Sequence, residues 1–172
     1  MSVKNILIEP DKKLRQVSKP VEKVGVEEKK LMNDMLDTMY AAPGIGLAAI
    51  QIGVAKRIIV MDISRDEIKK EPMYFINPVI KNINEEKAKY EEGCLSVPDQ
   101  FAEIERPNTC EVEYSDYNGK KQILKADGLL ATCIQHEMDH LEGILFIDYL
   151  SKLKRPMIIK KLSKNKVNRE IF

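Results

Sequence analysis

The sequence predicts an α+β fold, with antiparallel sheets packed around a central helix and a further helix at the C-terminus. Three observations point there. Two runs rich in Ile, Val and Phe read as buried strands beside helical apolar stripes. Asn118-Gly119 separates two alternating segments, the pattern of an antiparallel hairpin. Both histidines of the 172-residue chain fall in one string, His136-Glu137-Met138-Asp139-His140, inside a helical stripe. That spacing makes the central helix a metal-binding one.

Taken in order, Glu27 to Tyr40 carries Leu31, Met32, Met35, Leu36 and Met39, a stripe whose methionines read as core packing. Pro43-Gly44 ends it. Gly44-Ile45-Gly46-Leu47-Ala48-Ala49-Ile50-Gln51 follows, and its small residues expose backbone for close approach. Gln51 adds a neutral N–H donor of the kind that stabilises an oxyanion without titrating. The segment lacks the lysine and third glycine of nucleotide-binding loops. Arg57 to Ile63 and Met73 to Ile80 read as strands. Glu111 to Tyr117 and Lys120 to Lys125 read as a hairpin with a type I′ turn at Asn118-Gly119. Asp127 is the expected N-cap of the central helix and Gly143 its C′ stop, with Leu129, Leu130, Cys133 and Ile134 facing inward.

Composition narrows the class. Charged residues make up 32% and hydrophobic ones 44%, ordinary for a globular protein of one domain. No segment reads as a membrane span, and the N-terminus lacks the apolar stretch of an export signal. Three cysteines without such a signal suggest reduced thiols and a cytoplasmic location. Residues 151–172 hold eight of the 28 Lys and Arg and one acid, Glu170, a balance of +7 against −6 for the rest. Interleaved Leu153, Met157, Ile158, Ile159 and Leu162 make this an amphipathic basic helix, either solvated or facing an anionic partner. The expected organisation is a catalytic unit over residues 1–150, with 151–172 as part of the same domain or as a tail.

Histidines at i and i+4 share one helix face, so both imidazoles can meet one ion while Glu137 stands beside them as a general base. A catalytic site of this type has three protein ligands and one open position. With no histidine left, the third must be Cys, Asp or Glu. Cys133 lies seven residues before His140, about 10 Å along a helix, and reads better as a buried wall residue. Cys110 alternates within an apparent strand and reads as a small core hydrophobe. Cys94, between Gly93 and a turn-forming segment, could reach across to the helix, but local sequence leaves the choice open. Two rival readings remain. A zincin-type endopeptidase needs a downstream ligand, for which only Glu142, Asp148 and Glu170 are left. A non-catalytic metal module needs a fourth protein ligand.

Together these segments resemble the peptide deformylase family, which shows G-φ-G-φ-A-A-x-Q, E-G-C-φ-S and H-E-φ-D-H in this order, φ being apolar. Here they stand as Gly44 to Gln51, Glu92 to Ser96 and His136 to His140. The opening Ile6 to Arg15 and Asn77-Pro78 are similar too, so the resemblance runs to about residue 150. It implies that Cys94, His136 and His140 bind one divalent metal, Fe²⁺ in cells, with Zn²⁺, Ni²⁺ or Co²⁺ possible in purified protein. It implies that Glu137 is the general base and acid, and that Gln51 and the Leu95 N–H form the oxyanion hole. Ile45 and Gly46 would contact the substrate backbone, and Tyr90, Gly93, Leu129, Thr132 and Cys133 would line the methionine pocket. Phe101 stands at the pocket rim, where many relatives carry an arginine. The implied reaction removes formyl from N-formylmethionine on nascent polypeptides. The basic C-terminal helix implies transient ribosome contact, with no membrane and no sequence-specific nucleic acid as partners.

Overall fold

The computed structural model describes residues 2–64, 66 and 68–170, with side chains described as far as Lys166. Its frame is a five-stranded antiparallel sheet in the order β1-β2-β3-β6-β7, formed by Gly46–Ala48, Ile58–Met61, Met73–Ile83, Thr109–Ser115 and Lys121–Asp127. A separate hairpin pairs β4, Lys87–Cys94, with β5, Val97–Pro107. Three helices complete it: α1 (Val26–Ala41), α2 (Gly128–Leu141) and α3 (Lys154–Glu170).

Period-2 alternation explains how the sheet is covered on both sides. Along β2, Ile58 and Val60 pack with Met32, Met35 and Met39 of α1, while Ile59 and Met61 pack with Ala131, Cys133 and Ile134 of α2. All four strand residues are buried, so this central strand reads as an unbroken apolar run. A third cluster joins Val97 and Ile104 of β5 to Phe146, Ile147 and Leu162, seating α3 on the hairpin through a short turn at Phe146–Tyr149. Helix α2 is therefore central: the sheet covers one side and the hairpin stands at the other.

The elements follow the sequence with informative differences. β2 stops at Met61; the Asp62 N–H still donates to the Ile45 carbonyl at 2.9 Å, while its carboxylate accepts from Tyr40 Oη and from the Ser64 and Glu71 amides. β3 continues to Ile83, where it still pairs with Cys110 of β6. The turn at Asn118-Gly119 is not type I′, which requires positive φ at both residues. Only Gly119 has it, at 80°, and the loop is organised by Asp116, whose carboxylate accepts from the Asn118 and Lys120 amides. Asp127 occupies the N-cap position but makes no side-chain cap bond, its backbone being taken up in β7. Gly143 ends the helix at φ 73°, and a Cβ there would collide with the Arg15 carbonyl.

The N-terminal segment straps the site from behind. Leu7 donates to the Gln51 carbonyl at 2.7 Å and Glu9 to that of Ser96 at 2.9 Å, so one extended stretch ties together two segments 45 residues apart. Arg15 then reaches Asp148 at 2.6 Å and Glu9 at 3.0 Å, locking this strap to the turn before α3.

Candidate metal centre

Cys94 ends β4 at a register shift that follows Gly93, and this irregularity aims its thiol across at α2. One turn apart on α2, His136 and His140 present their rings to it. The ligand atoms of the three lie within 4.8 Å of one another, with Cys94 Sγ 3.3 Å from His140 Nε2. Tetrahedral coordination by one thiolate and two imidazoles separates neighbouring donor atoms by about 3.5 Å. The spacing and the soft-to-borderline donors thus fit a single divalent first-row cation. No fourth protein ligand joins the group among the described residues, which leaves one position open. Cys133 stays outside it as a cavity wall, and Cys110 is a buried core residue. The downstream acid a zincin would need is not close either: Glu142 is surface-exposed and pairs with Arg57 at 2.5 Å.

The ligands are held by a buried polar chain that sequence reasoning missed. His136 Nδ1 meets Glu92 Oε1 at 2.8 Å, which leaves Nε2 for a metal. Arg106 grips the same carboxylate with two bonds, of 2.7 and 3.0 Å, and extends a third nitrogen to Asp139 at 2.9 Å. Tyr149 Oη donates to Asp139 at 2.7 Å, and its ring faces the Arg106 guanidinium at 4.9 Å. Despite burial, bonds from His136 and Arg106 hold the Glu92 carboxyl below its usual range. Of these, Glu92 and Asp139 sat inside motifs, but Arg106 left no local trace.

Gln51 is fixed in orientation. The Ala48 N–H donates to its Oε1 at 2.9 Å, which turns Nε2 toward Ser96 Oγ at 3.0 Å and Cys94 Sγ at 3.5 Å. Glu137 is fully inside, and its Oε2 has no partner. Burial pushes its carboxyl up to about 7. Gly46 makes room for it: a Cβ on Gly46 would fall 2.5 Å from Glu137 Oε1. A carboxylate without partners, aimed at strand backbone beside three ligands, is placed to exchange protons.

These groups open onto one cavity of about 480 Å³. Gln51, Cys94, Leu95, His136 and Glu137 line its inner part, while His140 lies wholly buried behind them. Tyr90, Gly93, Leu129, Thr132 and Cys133 form a mostly apolar wall, Gly46 lies against Glu137, and the exposed Ile45 and Phe101 lie toward the opening. Every site residue expected from sequence except His140 lines this single space, and His140 touches it through Cys94.

Comparison with known proteins agrees with this geometry. Residues 3–156 match the family model described as polypeptide deformylase. The chain is 84% identical to a peptide deformylase of Pelagibacter ubique over 99% of each chain, and 57% identical to one of Rhizobium meliloti over 95% and 94%. Among solved structures, peptide deformylase from Ehrlichia chaffeensis superposes with a TM-score of 0.93 at 47% identity, covering 98% of this chain and 99% of that one. The same enzyme in complex with actinonin gives 0.90 at 50% identity, over 96% and 98%. The cluster of Cys94, His136 and His140 around one cavity, in a chain matched over nearly its whole length, places it in a family: the chain belongs to the polypeptide deformylases.

Proposed function

We propose that this chain hydrolyses the formyl group from N-formylmethionine at the start of newly made polypeptides, releasing formate and a free amino terminus. The observation that carries this reading is the convergence of Cys94, His136 and His140 beside an unpartnered Glu137 in one cavity. Those three residues hold one divalent ion, which when bound supplies a Lewis acid that acidifies water and polarises a carbonyl oxygen. Fe²⁺ is the ion we assign in cells, with Zn²⁺, Ni²⁺ and Co²⁺ suited to the same donors.

The protein groups then have distinct roles. Glu137 removes a proton from the attacking water and returns one to the departing amine as the C–N bond breaks. Gln51 Nε2, held by Ala48, and the Leu95 backbone N–H donate to the formyl oxygen as it gains charge, a contribution of about 3 kcal/mol per donor. Ile45 and Gly46 align the peptide backbone. Tyr90, Gly93, Leu129, Thr132 and Cys133 enclose the methionine side chain, with Phe101 at the rim. We take residues 1–150 as the catalytic unit and 151–172 as a basic helix that touches the ribosome transiently, in the cytoplasm. No described helix is long and apolar enough to cross a membrane.

The direct test is formate release from formyl-Met-Ala-Ser by the iron- or nickel-loaded protein. Release that depends on the metal and on Cys94 supports the reading. Cleavage of unformylated casein without formate release would replace it with an endopeptidase.

A further inference from the structure

Gln51 and the metal ligands sit on different parts of the fold, and one N-terminal arginine refers them to each other. The Gln51 side chain is directed by Ser96, whose wholly buried hydroxyl accepts from Nε2 at 3.0 Å. Ser96 lies in the turn of the β4–β5 hairpin, whereas Gln51 follows β1 of the five-stranded sheet, so no ladder of one sheet sets their distance. The N-terminal strap spans the two. Its Leu7 N–H lies on the Gln51 carbonyl at 2.7 Å and its Glu9 N–H on the Ser96 carbonyl at 2.9 Å.

The strap is anchored by Arg15. Its Nη2 donates to Glu9 Oε1 at 3.0 Å, while Nη1 donates to Asp148 Oδ2 at 2.6 Å and to the Gly143 carbonyl at 3.2 Å. Gly143 stands at the end of α2, the helix of His136, Glu137 and His140, and the Ser18 N–H also donates to the Leu141 carbonyl at 2.8 Å. Glu9 is buried and its other oxygen, Oε2, has no partner, so the guanidinium is the group that compensates this carboxylate. Without it the buried charge pulls toward water, and the backbone that holds Ser96 goes with it.

We infer that Arg15 is a positioning residue for the reaction: through Glu9 and the strap it holds Ser96 and Gln51 in register, and so aims Gln51 Nε2 at the charge that develops on the formyl oxygen. The inference rests on the deformylase reading and adds to it a residue that lines no part of the cavity. Donors of this kind act in the transition state, so their misalignment lowers kcat and spares KM. Loss of one whole donor costs about 10²- to 10³-fold, and misplacement by about an ångström costs up to about 10²-fold.

The test measures formate release from formyl-Met-Ala-Ser, with kcat expressed per bound metal. Arg15→Met should lower kcat about 10- to 100-fold and leave KM within about twofold. Arg15→Lys, which keeps a cation but not the planar fork, should recover at least about half of that loss on a logarithmic scale. Arg155→Gln frees the other oxygen of Asp148, on the α3 side, and should change kcat by less than about twofold. In a Gln51→Ala background Arg15→Met should cost at least about fivefold less than in the parent, because the group it aims is gone. Apart from activity, NMR of the zinc-loaded protein should show faster exchange of the Gln51 side-chain amide in Arg15→Met. The side-chain amide of Asn77, which donates to the Val21 carbonyl at 2.8 Å, should be unchanged. An equal loss of kcat in both backgrounds, a loss confined to KM, or a loss in Arg155→Gln as large as in Arg15→Met would each overturn the inference. So would unchanged kcat in Arg15→Met, or amide exchange that quickens at Asn77 as much as at Gln51. Formate release by no form of the protein, with the NMR contrast intact, would overturn the deformylase reading alone.

Discussion

Helices α2 and α3 are close in length, 14 and 17 residues, and opposite in surroundings. From Ala131 through Glu137 every residue of α2 is buried, polar ones included. Among its buried polar side-chain atoms, Gln135 Nε2, His136 Nδ1 and His140 Nε2 have partners, while Thr132 Oγ1, Glu137 Oε2 and His140 Nδ1, all at the site, have none. On α3 the described side chains are exposed except Leu162, buried at 2%, and the half-buried Ile158 and Ile159. It is attached by that apolar edge and by Arg155 against Asp148 at 3.1 Å. The contrast teaches that charge alone does not make a site. Polar groups acquire chemistry where burial strips their water and neighbours fix their direction; lysines in solvent keep their ordinary properties.

The comparison breaks first at Glu137. Glu137→Gln keeps the shape and removes the base, so kcat/KM on a formyl-Met peptide should fall about 10² to 10⁴-fold with metal content retained. Activity within tenfold of the parent would place proton transfer elsewhere. The next largest effect comes from Arg106→Met, which touches no ligand but strands the Glu92 carboxylate. It should lower unfolding free energy by about 3–5 kcal/mol and metal affinity about 10- to 100-fold, read by denaturant titration and chelator competition. Unchanged affinity would show that His136 needs no support.

On the other helix, Leu162→Ala should cost about 2–3 kcal/mol, less than Arg106→Met, because its loss frees mainly α3 from the third cluster. Hydrogen exchange should show α3 opening ahead of α2. A smaller effect sits on α1, where Asp34 is a buried acid served by exposed cations. Lys30, with the Ser2 amide and Lys4, holds its carboxyl at about 2 despite burial. The folded carboxylate thus stays charged below the ordinary aspartate value of about 3.9, so its stabilisation is full above that pH and fades as pH falls toward 2. Between pH 5 and 2 the parent should lose about 1–2 kcal/mol more than Asp34→Asn in thermal or urea unfolding. Least of all, Lys160→Gln or Lys161→Gln should shift stability by under about 0.5 kcal/mol and leave kcat/KM on short peptides unchanged.

How much was legible varied with the range of the interaction. The methionine stripe of α1 and the Gly143 stop could be read locally, and Met32, Met35 and Met39 are all fully buried. The turn at Asn118-Gly119 was placed but mistyped, since the Asp116 side chain, not the dipeptide, organises its backbone. The β4–β5 hairpin gave almost no strand signal. Lys89 and Glu91 face Glu105 and Glu103, and only folding shows that Glu92 and Arg106 turn inward as a pair.

By itself the sequence determined what repeats within a few residues. Two histidines four apart share a helix face because backbone hydrogen bonds set that period locally, and Glu137 follows as their neighbour. It also narrowed the third ligand to a few side chains, through the exhaustion of histidine. Tertiary structure alone brought Cys94 to within 3.3 Å of a histidine 46 residues away, turned Gln51 toward it, and buried Arg106 against Glu92. Those approaches depend on three apolar clusters closing together around α2, a condition spread over the whole chain and written in no single stretch of it.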